Sequence, residues 1–171
     1  MEYENIAEKY STLTTERLRL RPLKIQDAAD VFEYASDPEV TTYTVWYPHE
    51  KLQDSQMFIQ SILHQYENEE MAAYGIELKK KKKIIGTCGF IEYDKNHHKA
   101  ELAYALSKNY WRQGFATEAA KAFIEKLARK LHLQNVQGIA QFKVEMNCHR
   151  ICKNIFVARR IYVLFGCFVV S

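Results

Sequence analysis

Between Tyr110 and Ala119 the sequence YWRQGFATEA changes its hydrophobic period. The residues before it, KAELAYALS, read as a β-strand. After it, Ala116, Ala120, Phe123, Ile124, Leu127 and Leu131 fall three and four apart, the spacing of one helix face. Lys121, Glu125 and Arg129 alternate in sign along the other face, so a helix is expected from Phe115 to about Leu131. A strand passing straight into a helix leaves several N–H groups without partners at the positive end of the helix dipole. Gly114 lets an anion approach that backbone closely, and Arg112 and Gln113 add donors at the rim. A phosphate or pyrophosphate is the ligand this turn suits. The GxGxxG and GxxxxGK(S/T) spacings of dinucleotide and P-loop sites are missing, which argues against those folds.

The rest of the chain limits where such a turn can sit. RLRLRPL, Arg17 to Leu23, alternates basic and apolar residues as a strand with one wet face does. IQDAADVFEYASDPEV places Ala28, Val31, Phe32 and Ala35 on one helix face, and Pro38 is expected to end that helix. A second helix is expected from about Lys51 to Tyr66, carried by Leu52, Ser55, Phe58, Ile59, Ile62 and Leu63. AAYGIEL, KIIGTCGFIEY and KAELAYALS then form an antiparallel meander, and NVQGIAQFKV is a strand after the long helix. The order β α α β β β α β is mixed α+β, with one helix crossing between two strands expected to be parallel neighbours. No internal repeat or linker divides the chain, so one domain over residues 1–171 is expected.

Charge excludes some partners. Twenty-four basic residues against 21 acidic ones give a net charge of +3, too balanced for wholesale binding of nucleic acid or membrane. The polar start MEYENIAEKYSTLTTE is unlike a secretory signal, and no run approaches the ~20 apolar residues that span a bilayer, so a cytoplasmic chain is expected. In that setting Cys88, Cys148, Cys152 and Cys167 read as reduced, buried thiols rather than a disulfide frame, and a metal site from Cys148, Cys152 and His149 is disfavoured. The five lysines from Lys79 to Lys83 read as a solvated hairpin tip, with contact to an acidic partner as the other reading.

The segment AELAYALSKNYWRQGFATEA resembles the acetyl-CoA signature of the GNAT N-acetyltransferases, in the branch of the Rim-type ribosomal-protein N-terminal acetyltransferases. Glu101, Ala103 with Tyr104, and then Tyr110, Trp111, Gly114, Phe115, Ala116, Thr117, Glu118 and Ala119 stand in register with that pattern. TERLRLRPL, SDPEV and IIGTCGF resemble the same branch, and the likeness covers about Thr14 to Gln141. The resemblance implies a GNAT-like, mostly antiparallel sheet with flanking helices, in which the strand from Glu101 to Leu106 splays from a parallel strand over Val136 to Lys143. It also implies acetyl-CoA as donor. Main-chain groups of Tyr104, Ala105 and Leu106 would bind the pantetheine arm. The turn and helix start, Arg112, Gln113, Gly114, Phe115, Ala116 and Thr117, would hold the pyrophosphate.

The chemistry so implied is attack of a primary amine on a thioester. Glu101 is the candidate base or water relay, because it lies on the strand that offers its backbone to the thioester; a strand residue facing solvent or a salt bridge is the competing reading. His97 and His98 sit in a polar turn and are not favoured. The family also implies an Asn near the cofactor arm and a Ser three residues later. Asn147 fits the first but puts Arg150 at the second, while taking Cys148 as the Ser puts Glu145 at the Asn. After Glu145 no acidic residue follows and Ile161 to Val170 is continuously apolar, so the C-terminal strands are expected to be incomplete or altered from the family pattern over 142–171. An exposed apolar strand there would favour a homodimer or aggregation. A protein N-terminal α-amine is the first acceptor class; polyamines or other small amines, and a catalytically impaired acyl-CoA-binding or interaction module, remain as alternatives. Trp46 and Tyr47 could line an acceptor cleft, with a packed loop as the plainer role.

Overall fold

The LRLR of the second strand buries Leu18 and Leu20 and turns Arg19 outward. This alternation starts a sheet whose two faces carry different chemistry. The computed structural model describes residues 10–42, 44, 46–70, 72–94, 99–123, 135–140 and 162–164. Among them one sheet runs in chain order: β1 (Leu13–Thr14), β2 (Leu18–Arg21), β3 (Tyr74–Leu78), β4 (Lys83–Asp94), β5 (Lys99–Leu106), β6 (Asn135–Ala140) and β7 (Tyr162–Leu164). Neighbours pair antiparallel as far as β5; β5 with β6 and β6 with β7 are parallel. The expected meander and the expected parallel pair are therefore both present. β1 is a strand that the sequence did not announce, whereas β7 falls within the apolar run of Ile161 to Val170.

Four helices are described: α1 (Ala28–Ala35), α2 (Pro38–Thr41), α3 (Leu52–Glu67) and α4 (Phe115–Phe123). α1 follows a 3-10 turn at Ile25–Asp27. The expectation that Pro38 ends the first helix is corrected. α1 stops at Ala35, and Pro38 opens the next helix, where its missing N–H is no loss and its φ already suits the first turn. Asp37 caps that turn by accepting the N–H of Glu39 at 2.9 Å. In α3 the buried Ser55, Ile59, Ile62, Leu63 and Tyr66 form one stripe. α4 buries Phe115, Ala116, Ala119, Ala120 and Phe123. The expected helix residues beyond Phe123, the strand residues beyond Ala140, and most of the atypical tail lie outside the described residues.

Register assigns the faces. Leu18 pairs with Leu78, Leu20 with Ile76, Tyr74 with Cys88, and Cys88 with Tyr104, so these side chains share one face. α4 covers it, and the ring of Phe123 meets that of Tyr74 edge-on at 5.4 Å. The other face carries Arg19, Arg21, Glu77 and Thr87 and lies under α1, where Asp30 Oδ2 accepts the N–H of Ile84 at 2.8 Å. Buried Glu77 accepts from Arg19 at 2.9 Å and from Arg21 at 2.6 Å, and Arg21 also grips Asp27 in a fork at 2.8 and 2.9 Å. The arginines of RLRLR thus belong to a structural network. β4 and β5 approach so closely that a Cβ at Gly86 would lie 2.2 Å from the carbonyl oxygen of Ala105.

Candidate active site

β5 ends where Ser107 donates its N–H to the carbonyl of Ile85 at 2.7 Å. A 3-10 turn over Lys108–Tyr110 follows, closed by Tyr110 N–H on Ser107 O at 2.9 Å and Trp111 N–H on Lys108 O at 3.1 Å. Then the chain adopts positive φ twice, 59° at Arg112 and 79° at Gly114, before α4 begins. The first N–H to close onto the turn is that of Glu118, on Gly114 O at 3.0 Å. Among the described residues the N–H groups of residues 112–117 have no acceptor. Arg112, Gln113 and Gly114 are exposed, so the donors that open this run lie where an anion could reach them, whereas Phe115 and Ala116 are buried. Gln113 uses its side-chain amide to bond the Asn109 carbonyl at 2.9 Å, and Thr117 is half-buried.

What holds this turn in shape was not legible beforehand. Arg17, just before β2, donates its Nε to Glu118 Oε2 at 2.6 Å and Nη1 to the Gln113 carbonyl at 2.9 Å. Its own N–H and the Thr15 hydroxyl both donate to Glu118 Oε1. The Arg17 guanidinium also stacks on Phe115, 4.2 Å from the ring centroid. Burial would raise the Glu118 carboxyl, but the bonds from Thr15 and Arg17 outweigh it and hold it below its ordinary value. The signal lies in two separate motifs: Arg17 comes from TERLRLRPL and Glu118 from FATEA, and the fold brings them together. Tyr110 packs edge-on against Phe115 at 6.0 Å and takes Lys81 at 3.3 Å from its hydroxyl. The lysine tip is accordingly only partly free: Lys79 bonds the Thr15 carbonyl, Lys81 meets Tyr110 and Lys83 pairs with Glu33.

The β5 edge divides the three main-chain candidates. The Ser107 bond to Ile85 makes Gly86 and Leu106 a pair without mutual hydrogen bonds, so Leu106 and Tyr104 direct their main-chain groups away from β4 while Ala105 directs its own toward it. The Leu106 carbonyl accepts the Trp111 indole N–H at 2.7 Å. Described pairing with β6 ends at Tyr104 with Ala140. Glu101 lies in β5 opposite Glu92 and Gln137, next to a bulge between Phe90 and Glu92 in β4. Bulges of this kind gather near active sites, where they re-aim the chain. Asn147, His97 and His98 lie outside the described residues.

Around residues 46–58 the loop is built on aromatic contacts. His49 stands 5.3 Å from Trp46 and 5.8 Å from Phe58, its Nδ1 is 2.8 Å from the fully buried Ser55 hydroxyl, and its N–H bonds Ala35 O at 2.9 Å. Burial lowers the His49 pKa against the opposing pull of Asp54. Trp46 is packed, while Tyr47 is 90% exposed. Cys88 is a free, buried thiol pushed up to about 12 by burial, so it is no nucleophile at neutral pH. Among the described residues no cluster of His, Cys, Asp and Glu could hold a metal. No described helix is long and apolar enough to cross a membrane.

The sequence profile of the family described as acetyltransferase (GNAT) domain matches residues 17–147, most of the chain. The chain belongs to the GNAT acetyltransferases. The chain is similar to N-acetyltransferase p20 of Bacillus licheniformis, with 36% identity over 127 residues that cover 74% of this chain and 71% of that one. It is similar also to N-acetyltransferase YoaA of Bacillus subtilis, with 35% identity over 130 residues covering 76% and 73%. Among solved structures, ribosomal-protein-S5-alanine acetyltransferase of Vibrio fischeri shares the fold at a TM-score of 0.66, with 15% identity and coverage of 85% and 82%. As a GNAT acetyltransferase the protein is an N-acetyltransferase that takes its acetyl group from acetyl-CoA. The open donors of residues 112–117 and the bare Cα of Gly114 fit the anionic part of that donor.

Proposed function

We propose that this GNAT acetyltransferase acetylates the α-amine of a protein N-terminus, holding the pyrophosphate of acetyl-CoA at the turn of residues 112–117. The run of N–H groups at the start of α4 and beside Gly114, without acceptors among the described residues, carries the reading. Leu106, beyond the described β5–β6 pairing that ends at Tyr104 with Ala140, presents its main-chain groups toward the β6 side, where the pantetheine arm would run as an added strand past Tyr104. Leu106 shares its carbonyl with Trp111, which fixes the wall beside the arm. Asn147 is assigned to the same arm on the resemblance. When bound, acetyl-CoA supplies the activated acyl group. The chain's tasks are then to hold it straight, bring an amine to it and remove a proton. Glu101 takes that proton, directly or through a water, at its place beside the β4 bulge.

The acceptor choice rests on pKa. An α-amine titrates near 7.7–8.0 and a lysine near 10.4, so the α-amine needs far less help to be a free base at neutral pH. The ribosomal-protein acetyltransferase named above favours this class. Polyamines and other small amines are the second class, and an acyl-CoA binder without turnover is the third. Thiol release from acetyl-CoA, measured with N-terminal peptides, polyamines and no amine, separates them. Turnover on peptides is expected, and Glu101→Gln should lower kcat by about 10²–10⁴-fold. Turnover on polyamines alone would replace the acceptor class. Binding without turnover would leave only the binder, and no binding at all would overturn the assigned turn.

A further inference from the structure

Arg17 is held on three sides, yet one end of its guanidinium is open. Nε is taken by Glu118 and Nη1 by the Gln113 carbonyl, and the face lies on Phe115. Nη2 has no acceptor among the described residues. It lies against the turn: a Cβ built on Gly114 would be 3.4 Å from Nη2. The side chain as a whole is 40% exposed, and it borders the turn whose N–H groups at residues 112–117 have no acceptor among the described residues.

We propose that Arg17 is a side-chain phosphate ligand of the acetyl-CoA site, its Nη2 binding the pyrophosphate alongside the main-chain donors of the turn. The inference rests on the assignment of that turn proposed above. It adds a charged group from the far end of the sequence to a site otherwise made of backbone. A guanidinium presents five N–H donors in one rigid plane, so it can spend some on Glu118 and Gln113 and keep others for an oxyanion. Phe115 and Glu118 fix the plane beforehand, so little side-chain freedom is left to lose when the anion arrives.

The test compares two acetyl donors that share the thioester but not the phosphates: acetyl-CoA and S-acetylpantetheine. The readout is the ratio of their kcat/KM values with one peptide amine. Wild type should prefer acetyl-CoA. Arg17→Gln should lower the ratio about ten- to a hundredfold, the effect of losing a charged hydrogen bond, through the KM for acetyl-CoA. Arg17→Lys should lower it as well, because one ammonium cannot reach Glu118, the Gln113 carbonyl and a phosphate together. If Arg17→Gln lacks a cooperative thermal melt, the ratio is read in Arg17→Lys alone. A purely structural role would weaken both donors together and keep the ratio, which overturns the inference and leaves the turn assignment standing. A wild-type enzyme with no preference for the phosphate-bearing donor would overturn both.

Discussion

Replacing Gly114 separates strain from electrostatics at the turn. Its φ of +79° lies in the left-handed region, which costs a residue with a Cβ about 1–2 kcal/mol. The built Cβ has only the ordinary 3.4 Å contact with Arg17 Nη2. Gly114→Ala should therefore lower the unfolding free energy by about 1–2 kcal/mol and no more. Gly114→Glu carries the same strain and adds a carboxylate where the pyrophosphate is to bind. Two unit charges ~5 Å apart at an effective permittivity of ~20 repel by about 3 kcal/mol. Acetyl-CoA should then bind on the order of a hundredfold more weakly or worse, since 1.4 kcal/mol is tenfold. Stability should remain near that of the alanine variant, because the new carboxylate stands beside Arg17. Urea unfolding and calorimetric titration with acetyl-CoA read the two quantities separately. A glutamate variant with unchanged affinity would refute the anion site, and an alanine variant far less stable than about 2 kcal/mol below wild type would refute the strain argument.

Glu77→Gln should cost about 2 kcal/mol in urea unfolding, less than a fully buried pair would, because Arg19 is half exposed and Arg21 keeps Asp27; a neutral effect would show that the network contributes nothing. His49 has a lowered pKa in the fold, so the unfolded chain takes up its proton first and stability should fall as pH drops through and below about 6.5. His49→Gln should flatten that part of a Tm-against-pH curve, and a variant with the wild-type slope would contradict it. Gly86→Ala must separate β4 from β5 at Ala105, and a loss of about 1–3 kcal/mol or more is expected; full stability would mean the close approach is absent.

The elements that the sequence disclosed are those with a clean period. LRLR, the stripe of α3 and the three meander runs each follow one spacing, and each appears within a few residues of its expected place. The glycine turn was legible for a different reason: positive φ is cheap only for glycine, and an open helix start has a known electrostatic sign. Features that depend on distance along the chain were not legible. Arg17 and Glu118 are 101 positions apart, and neither alone differs from a surface charge. Local pattern likewise could not place Ala105 against β4 and Leu106 away from it, because that parity is set by which strand arrives opposite. Pro38 misled because the same ring that cannot continue a helix is well suited to start one. The family profile ends at residue 147, close to where the composition changes after Glu145.

The central claim is that the main-chain donors of residues 112–117 receive the phosphates of acetyl-CoA. Titrating ¹⁵N-labelled protein with acetyl-CoA, and separately with S-acetylpantetheine, tests it by the amide shifts of those residues. Saturable downfield shifts at 112–117 with acetyl-CoA, absent with the phosphate-free thioester, are the expected result. Saturable binding of acetyl-CoA that leaves those amides unmoved would contradict the account.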